Sequence, residues 1–157
     1  MIKNLTTAAL ALAIAAGPAI AQSCGPTHPV AAYNAVAKAK ESFVILHGEF
    51  DFDVSRVPDV NAPPTIARIP TVFTGKLLTG AGFTDEVEAP VTLNLDCAGA
   101  WCARVSPKVD YLAFVLQTDN ELIFNVDPCY AFAFSDPEDQ VIEAIEQCAA
   151  GGDCTPK

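Results

Sequence analysis

The chain has 157 residues, with 19 acidic side chains against 9 Lys and Arg and a formal net charge of −10. Such a surface repels phosphate backbones and anionic lipid headgroups, which argues against nucleic acid and membrane surfaces as partners. Six cysteines in an exported chain read as three disulfides, and counting alone leaves their pairing open.

The first 21 residues have the pattern of a secretory signal peptide. Lys3 gives a positive start, Ala8 to Ala16 form a short apolar run, and Ala19-Ile20-Ala21 form a small-x-small cleavage site before Gln22. The apolar run is too short to span a bilayer. Cys24 lies near the cut, but Ala21-Gln22-Ser23 makes a poor lipobox, so soluble export is favoured over a lipoprotein. Residues 22–157 are expected to form one domain, secreted or periplasmic, with no membrane insertion after cleavage.

Residues 22–29 are rich in Gly and Pro and read as an extended segment pinned by Cys24. Val30 to Lys40 has Val30, Tyr33, Val36 and Ala37 at helical spacing, which predicts a short, loosely held helix. Ser42 to Asp53 is the first strand. Val44, Leu46, Phe50 and Phe52 share its inner face, and Glu49, Asp51 and Asp53 the outer. Gly48 falls on the inner face, where a missing side chain permits a sharp coil. Val54 to Pro64 is a loop. Thr65 to Thr79 is a second strand region, with Pro70 marking an edge or bulge.

Gly80 to Pro90 carries Asp85, Glu86 and Glu88 and reads as a long acidic connection. Val91 to Cys97 is a third strand with Val91, Leu93 and Leu95 inward, a parity that Cys97 continues. Ala98 to Pro107 is a loop holding the only tryptophan, Trp101, beside Cys102. Val109 to Phe134 is the most apolar stretch. Asp119-Asn120 suits a tight turn because both residues tolerate positive φ. Across it Leu112, Phe114 and Leu116 are expected to oppose Leu122, Phe124 and Val126. Both faces of this hairpin are apolar, as for central strands. Asp136 then caps a helix whose stripe is Val141, Ile142, Ile145, Cys148 and Ala149, ended by Gly151-Gly152.

About five strands and a C-terminal helix are too few for a sandwich. They fit a mainly β fold, a five-stranded, partly open barrel of the OB-fold type, stabilised by disulfides.

Catalytic signals are sparse. His28 and His47 are the only histidines. His28 lies in a Pro-rich segment, and His47 on an outer strand face beside Glu49. No Gly-x-Ser-x-Gly, phosphate-binding glycine loop or HExxH is present. The acids at Glu49, Asp51 and Asp53 and at Asp85, Glu86 and Glu88 lack EF-hand spacing and read as solvated faces. The cysteine spacings do not suit zinc. No catalytic residue, metal or cofactor is therefore assigned. Trp101 has two readings, an interface anchor or a lid over the open end of the barrel, and the lid is favoured.

The run Cys24-Gly25-Pro26-Thr27-His28-Pro29 resembles the mature start of the tissue inhibitors of metalloproteinases. In that family a Cys-x-Pro-x-His-Pro run precedes an apolar first strand, here Ser42-Phe43-Val44-Ile45 with Gly48. Tyr111-Leu112-Ala113-Phe114, the turn, Leu122-Ile123-Phe124 and Cys129 look like the family's last two barrel strands. The resemblance covers the netrin-like OB module from about Cys24 to Cys148. It implies a Cys24–Cys129 bond, worth about 4–5 kcal/mol in the chain-entropy model. Local pairs Cys97–Cys102 and Cys148–Cys154 would then remain. It also implies a non-enzymatic module that contacts a protein, such as an extracellular protease, through Gln22, Ser23, Cys24, Gly25, Pro26 and Thr27; Trp101 is the separate loop contact read from its own residue type. The chain departs from the family at its mature start. There the inhibitors present a cysteine that chelates the protease zinc, and this chain has Gln22. A structural envelope protein without a dedicated site is the alternative, and a small hydrolase is the least favoured.

Overall fold

The computed structural model of the chain describes residues 24, 28–58, 66–98 and 101–156. The expected signal peptide and Gln22, Ser23, Gly25, Pro26 and Thr27 lie outside the described residues.

Alternation of apolar side chains builds the sheet, and its closure builds the core. β1 (Ser42–Asp51) pairs antiparallel with β2 (Ala67–Thr79), which pairs antiparallel with β3 (Gly82–Leu95). Two small hairpin strands follow, β4 (Cys97–Ala98) and β5 (Trp101–Cys102). β6 (Asp110–Gln117) pairs with β1 on one side and with β7 (Leu122–Val126) on the other. β7 runs parallel to β3, with Leu93 beside Phe124 and Leu95 beside Val126. The order β1-β2-β3-β7-β6 thus returns to β1, a ring of five strands with the Greek-key character of an OB-fold. A short β8 (Ala133–Ser135) adds to β6 where β7 has turned away towards β3.

Two apolar cores result. Inside the ring, Leu46, Phe50, Ile69, Phe73, Leu93, Tyr111 and Phe124 pack together. Phe50 stacks on Phe124 at 4.7 Å between ring centroids and tilts against Phe73 at 5.1 Å. Outside the ring, Ile45, Leu112 and Phe114 face α1 (Pro29–Val36) and α2 (Asp139–Ala149), which contribute Val30, Ala32, Ile145 and Cys148. Tyr111 to Val115 are all buried because β6 serves both cores, as its two apolar faces predict.

Gly48 lies opposite Gly75 in the β1–β2 ladder. A Cβ on Gly48 would sit 2.4 Å from the Thr74 carbonyl oxygen and 2.6 Å from the Gly75 Cα, and Gly48 has φ of +155°. Two facing glycines let the strands approach where the sheet coils, as expected of Gly48.

The three disulfides are Cys24–Cys129, Cys97–Cys102 and Cys148–Cys154. They are the pairs the resemblance implies. They suit an oxidising extracellular or periplasmic environment. No helix among the described residues is long and apolar enough to cross a membrane.

Several expectations need correction. Gly80 to Pro90 is not a connection. The turn is confined to Gly80 and Ala81, and Gly82 onward belongs to β3, where Asp85, Glu86 and Glu88 pair with Leu77, Lys76 and Thr74. Their charge resembles a loop, but Val87 and Ala89 continue the inward alternation of Val91, Leu93 and Leu95. Pro70 is paired only to β3, since the β1 ladder stops at Val72, so it occupies a local edge; the irregularity lies at Leu77–Leu78. Cys97 does not end the core face. The chain leaves the ring at Asp96, whose N–H donates to the Val126 carbonyl, and Cys97 enters the β4–β5 hairpin.

The hairpin within Val109 to Phe134 is also offset. Leu116 pairs with Ile123 and Gln117 with Leu122, one residue from the expected register. That shift puts Ala113 and Val115 inside the ring and Leu112 and Phe114 against the helices. Neither Asp119 nor Asn120 takes positive φ. The turn is held instead by Thr118, whose hydroxyl donates to the Glu121 carbonyl at 2.9 Å and accepts from the Glu121 N–H at 3.1 Å. Asp136 does not cap α2. It has φ of 45°, its N–H donates to the Asp110 carbonyl, and Glu138 is the N-cap residue. The helix ends as expected: Gly151 takes φ of +79° and the Gly152 N–H returns to the Gln147 carbonyl.

Candidate functional site

Cys24 and Trp101, the described residues among the expected contacts, are linked through Cys129, Tyr130 and Arg104. Cys24 is exposed and bonded to Cys129. Cys129 sits in a tight turn after β7, where Asp127 Oδ1 accepts from its N–H at 2.8 Å. The next residue, Tyr130, takes φ of 53° and is 39% exposed. Its hydroxyl accepts from the Arg104 N–H at 3.0 Å, which ties it to the chain three residues after Trp101. The β4–β5 hairpin is closed by Cys97–Cys102, whose residues lie directly opposite each other.

Trp101 is 78% exposed on that hairpin. It is therefore not a lid. Other residues from the expected loop are inside instead: Ala103 and Val105 are buried in the ring core. A run alternating Ala103, Arg104, Val105 and Ser106 carries the signal that could have found them, small and apolar in, polar out.

Between this segment and β8 no strand ladder forms among the described residues. Two tyrosine hydroxyls bridge the gap in place of a strand ladder: Tyr130 to the Arg104 N–H, and Tyr111 to the Ser106 N–H at 3.1 Å. Arg104, Tyr111, Cys129, Tyr130 and all three residues of β8 line a cleft of about 500 Å³. Among the described residues, the Arg104 guanidinium is in no ion pair.

Neither histidine lines this cleft. His28 caps α1, its Nδ1 accepting from the Val30 N–H at 3.2 Å. It borders a second groove of about 390 Å³ between α2 and the C-terminal tail, whose rim carries Glu138, Glu143 and Asp153. His47 is not simply an outward strand residue. Its Nε2 lies 2.9 Å from Asp110 Oδ2 on β6, and its ring meets Phe83 edge-on at 5.4 Å. No group of three His, Cys, Asp or Glu side chains among the described residues is arranged to hold a metal ion.

Two exposed carboxylates, Glu121 and Asp53, have lowered pKa values. Glu121 is held below the usual glutamate range by a hydrogen bond from the Thr92 hydroxyl, then by the two bonds from Arg68. Asp53 is lowered by hydrogen bonds from Ser55 and by nearby Arg56. Both are structural contacts of loops and strand ends. Comparison with protein-family models, with curated proteins and with solved structures gives no match.

Proposed function

We propose that the chain is an exported, non-enzymatic module of netrin-like type that binds a protein partner through the end of the ring carrying Cys24, Trp101, Arg104 and Tyr130. The observation that carries this reading is the exposure of Trp101 on a disulfide-closed hairpin. Tryptophan, tyrosine and arginine are the residue types that dominate binding hot spots, and a pre-ordered hairpin loses little entropy on docking. The strand order of the ring and the Cys24–Cys129 bond support the netrin-like reading. The partner is an extracellular or periplasmic protein, with a protease as the narrower case.

The test compares wild type with Trp101→Ala by capture from culture medium or periplasm, followed by titration against the recovered protein. Wild type binds saturably, and Trp101→Ala weakens it by about thirtyfold, equivalent to about 2 kcal/mol. An unchanged affinity removes this reading in favour of a structural envelope protein. The protease case has its own check: purified chain added to zinc proteases at micromolar concentration must reduce their activity.

A further inference from the structure

We propose that the outer edge of β8 takes an extended segment of the partner as an added strand, with a carboxylate of that segment meeting Arg104. This names the kind of partner for the surface above and rests on that reading.

The backbone of β8 carries the inference. The Phe114 N–H donates to the Phe132 carbonyl at 3.0 Å, and the Asp136 N–H to the Asp110 carbonyl at 2.8 Å. In an antiparallel pair, successive residues present their polar groups to opposite sides. Phe132, Phe134 and Asp136 therefore face β6, while Ala133 and Ser135 face away from it. The Ala133 N–H already reaches the Tyr130 carbonyl at 3.4 Å. That leaves the Ala133 carbonyl and both polar groups of Ser135 directed into the cleft, with no hydrogen-bond partner among the described residues. An edge that alternates acceptor and donor in this way recognises extended backbone.

The space and charge fit the same occupant. The cleft of about 500 Å³ runs along all three residues of β8. Arg104, Tyr111, Cys129 and Tyr130 line the rest of it, and the Tyr130 hydroxyl accepts from the Arg104 N–H. Arg104 is the one cation among the lining residues, and a guanidinium without an ion pair selects a carboxylate. A strand laid there would complete the sheet where β7 has left β6 for β3.

The test uses the full mature chain and blocked pentapeptides with β-branched flanks and Asp, Ala or Lys at the centre, titrated by ¹⁵N NMR to about 5 mM, since a few backbone bonds give weak affinity. The expected result is saturable shifts at Ser135 and Arg104, strongest for the Asp peptide and weakest for the Lys peptide. Ser135→Pro removes an N–H that faces away from β6, outside the β6–β8 ladder. It should weaken binding about tenfold and leave the exchange protection of the Phe114 amide unchanged. N-methylation of the peptide at alternate residues makes the same test without altering the protein: one register of methyl groups abolishes binding and the other does not. No saturable shift, shifts centred elsewhere, or indifference to both register and Ser135→Pro overturns the proposal. Binding at Ser135 that ignores Trp101→Ala keeps this inference and removes the Trp101 anchor. Loss of partner binding in Trp101→Ala, with no peptide effect at Ser135, does the reverse.

Discussion

Gly48 shows how one residue without a side chain permits the ring to close. Its missing Cβ is the space into which Thr74 and Gly75 of β2 come, so Gly48→Ala should cost about 3 kcal/mol, through overpacking and positive φ together. A shift in the urea midpoint at constant slope measures it. Glu121 makes a different prediction. Its folded pKa lies below its ordinary 4.5, because Thr92 and Arg68 hydrogen-bond the ionised form. A depressed carboxylate pKa contributes stability that is present above the ordinary value and is lost as pH falls through the folded one. A ¹³C titration of the Glu121 carboxyl should therefore give a midpoint below 4.5, raised towards it by Thr92→Val, the partner with the largest effect. Both residues differ in legibility. The inward parity of Gly48 was readable from the strand pattern, whereas the Thr92–Glu121–Arg68 contact joins three segments distant in sequence and leaves no local signal.

At the scale of elements, periodicity predicted what short-range physics controls and missed what pairing controls. β1, β6, β7 and both helices were legible because their apolar spacing matches strand or helix. β3 was read short because its acids resemble a loop, although the alternation through Val87 and Ala89 continues into Val91. The hairpin register differs by one residue from the pattern's expectation because β6 is apolar on both faces, so hydrophobic pattern alone does not select a face there. β8 left no signal, being three residues that pair only because β7 turns towards β3. The disulfides span the same contrast. Cys24–Cys129 joins residues 105 apart, and Cys97–Cys102 residues 5 apart. In the chain-entropy model the first contributes about 4.8 kcal/mol and the second about 2 kcal/mol. Paired Cys→Ala replacements, followed by denaturant unfolding, should give losses in that order. A larger loss for the Cys97–Cys102 pair would show that its role exceeds closing a short hairpin.

For the whole molecule, a closed ring with two cores fixes one end as the place where ordered, exposed aromatic and cationic groups meet. The sequence singled out Cys24 and Trp101 separately. It could not bring them together, because Arg104 and Tyr130, which join their segments, are 26 residues apart and meet through a backbone N–H and a hydroxyl. The exposure of Trp101 was likewise unreadable: a tryptophan beside a cysteine suits a lid as well as an anchor, and burial of Ala103 and Val105 decides between them. The most direct test of a binding role for this end is photo-crosslinking in the native export compartment, with the reactive side chain at position 101 or, as an exposed control, at Val54, which is 59% exposed. The account predicts one dominant adduct from position 101, competed by excess unlabelled protein, and none from position 54. Adducts that are absent, uncompeted, or the same from both positions would contradict it.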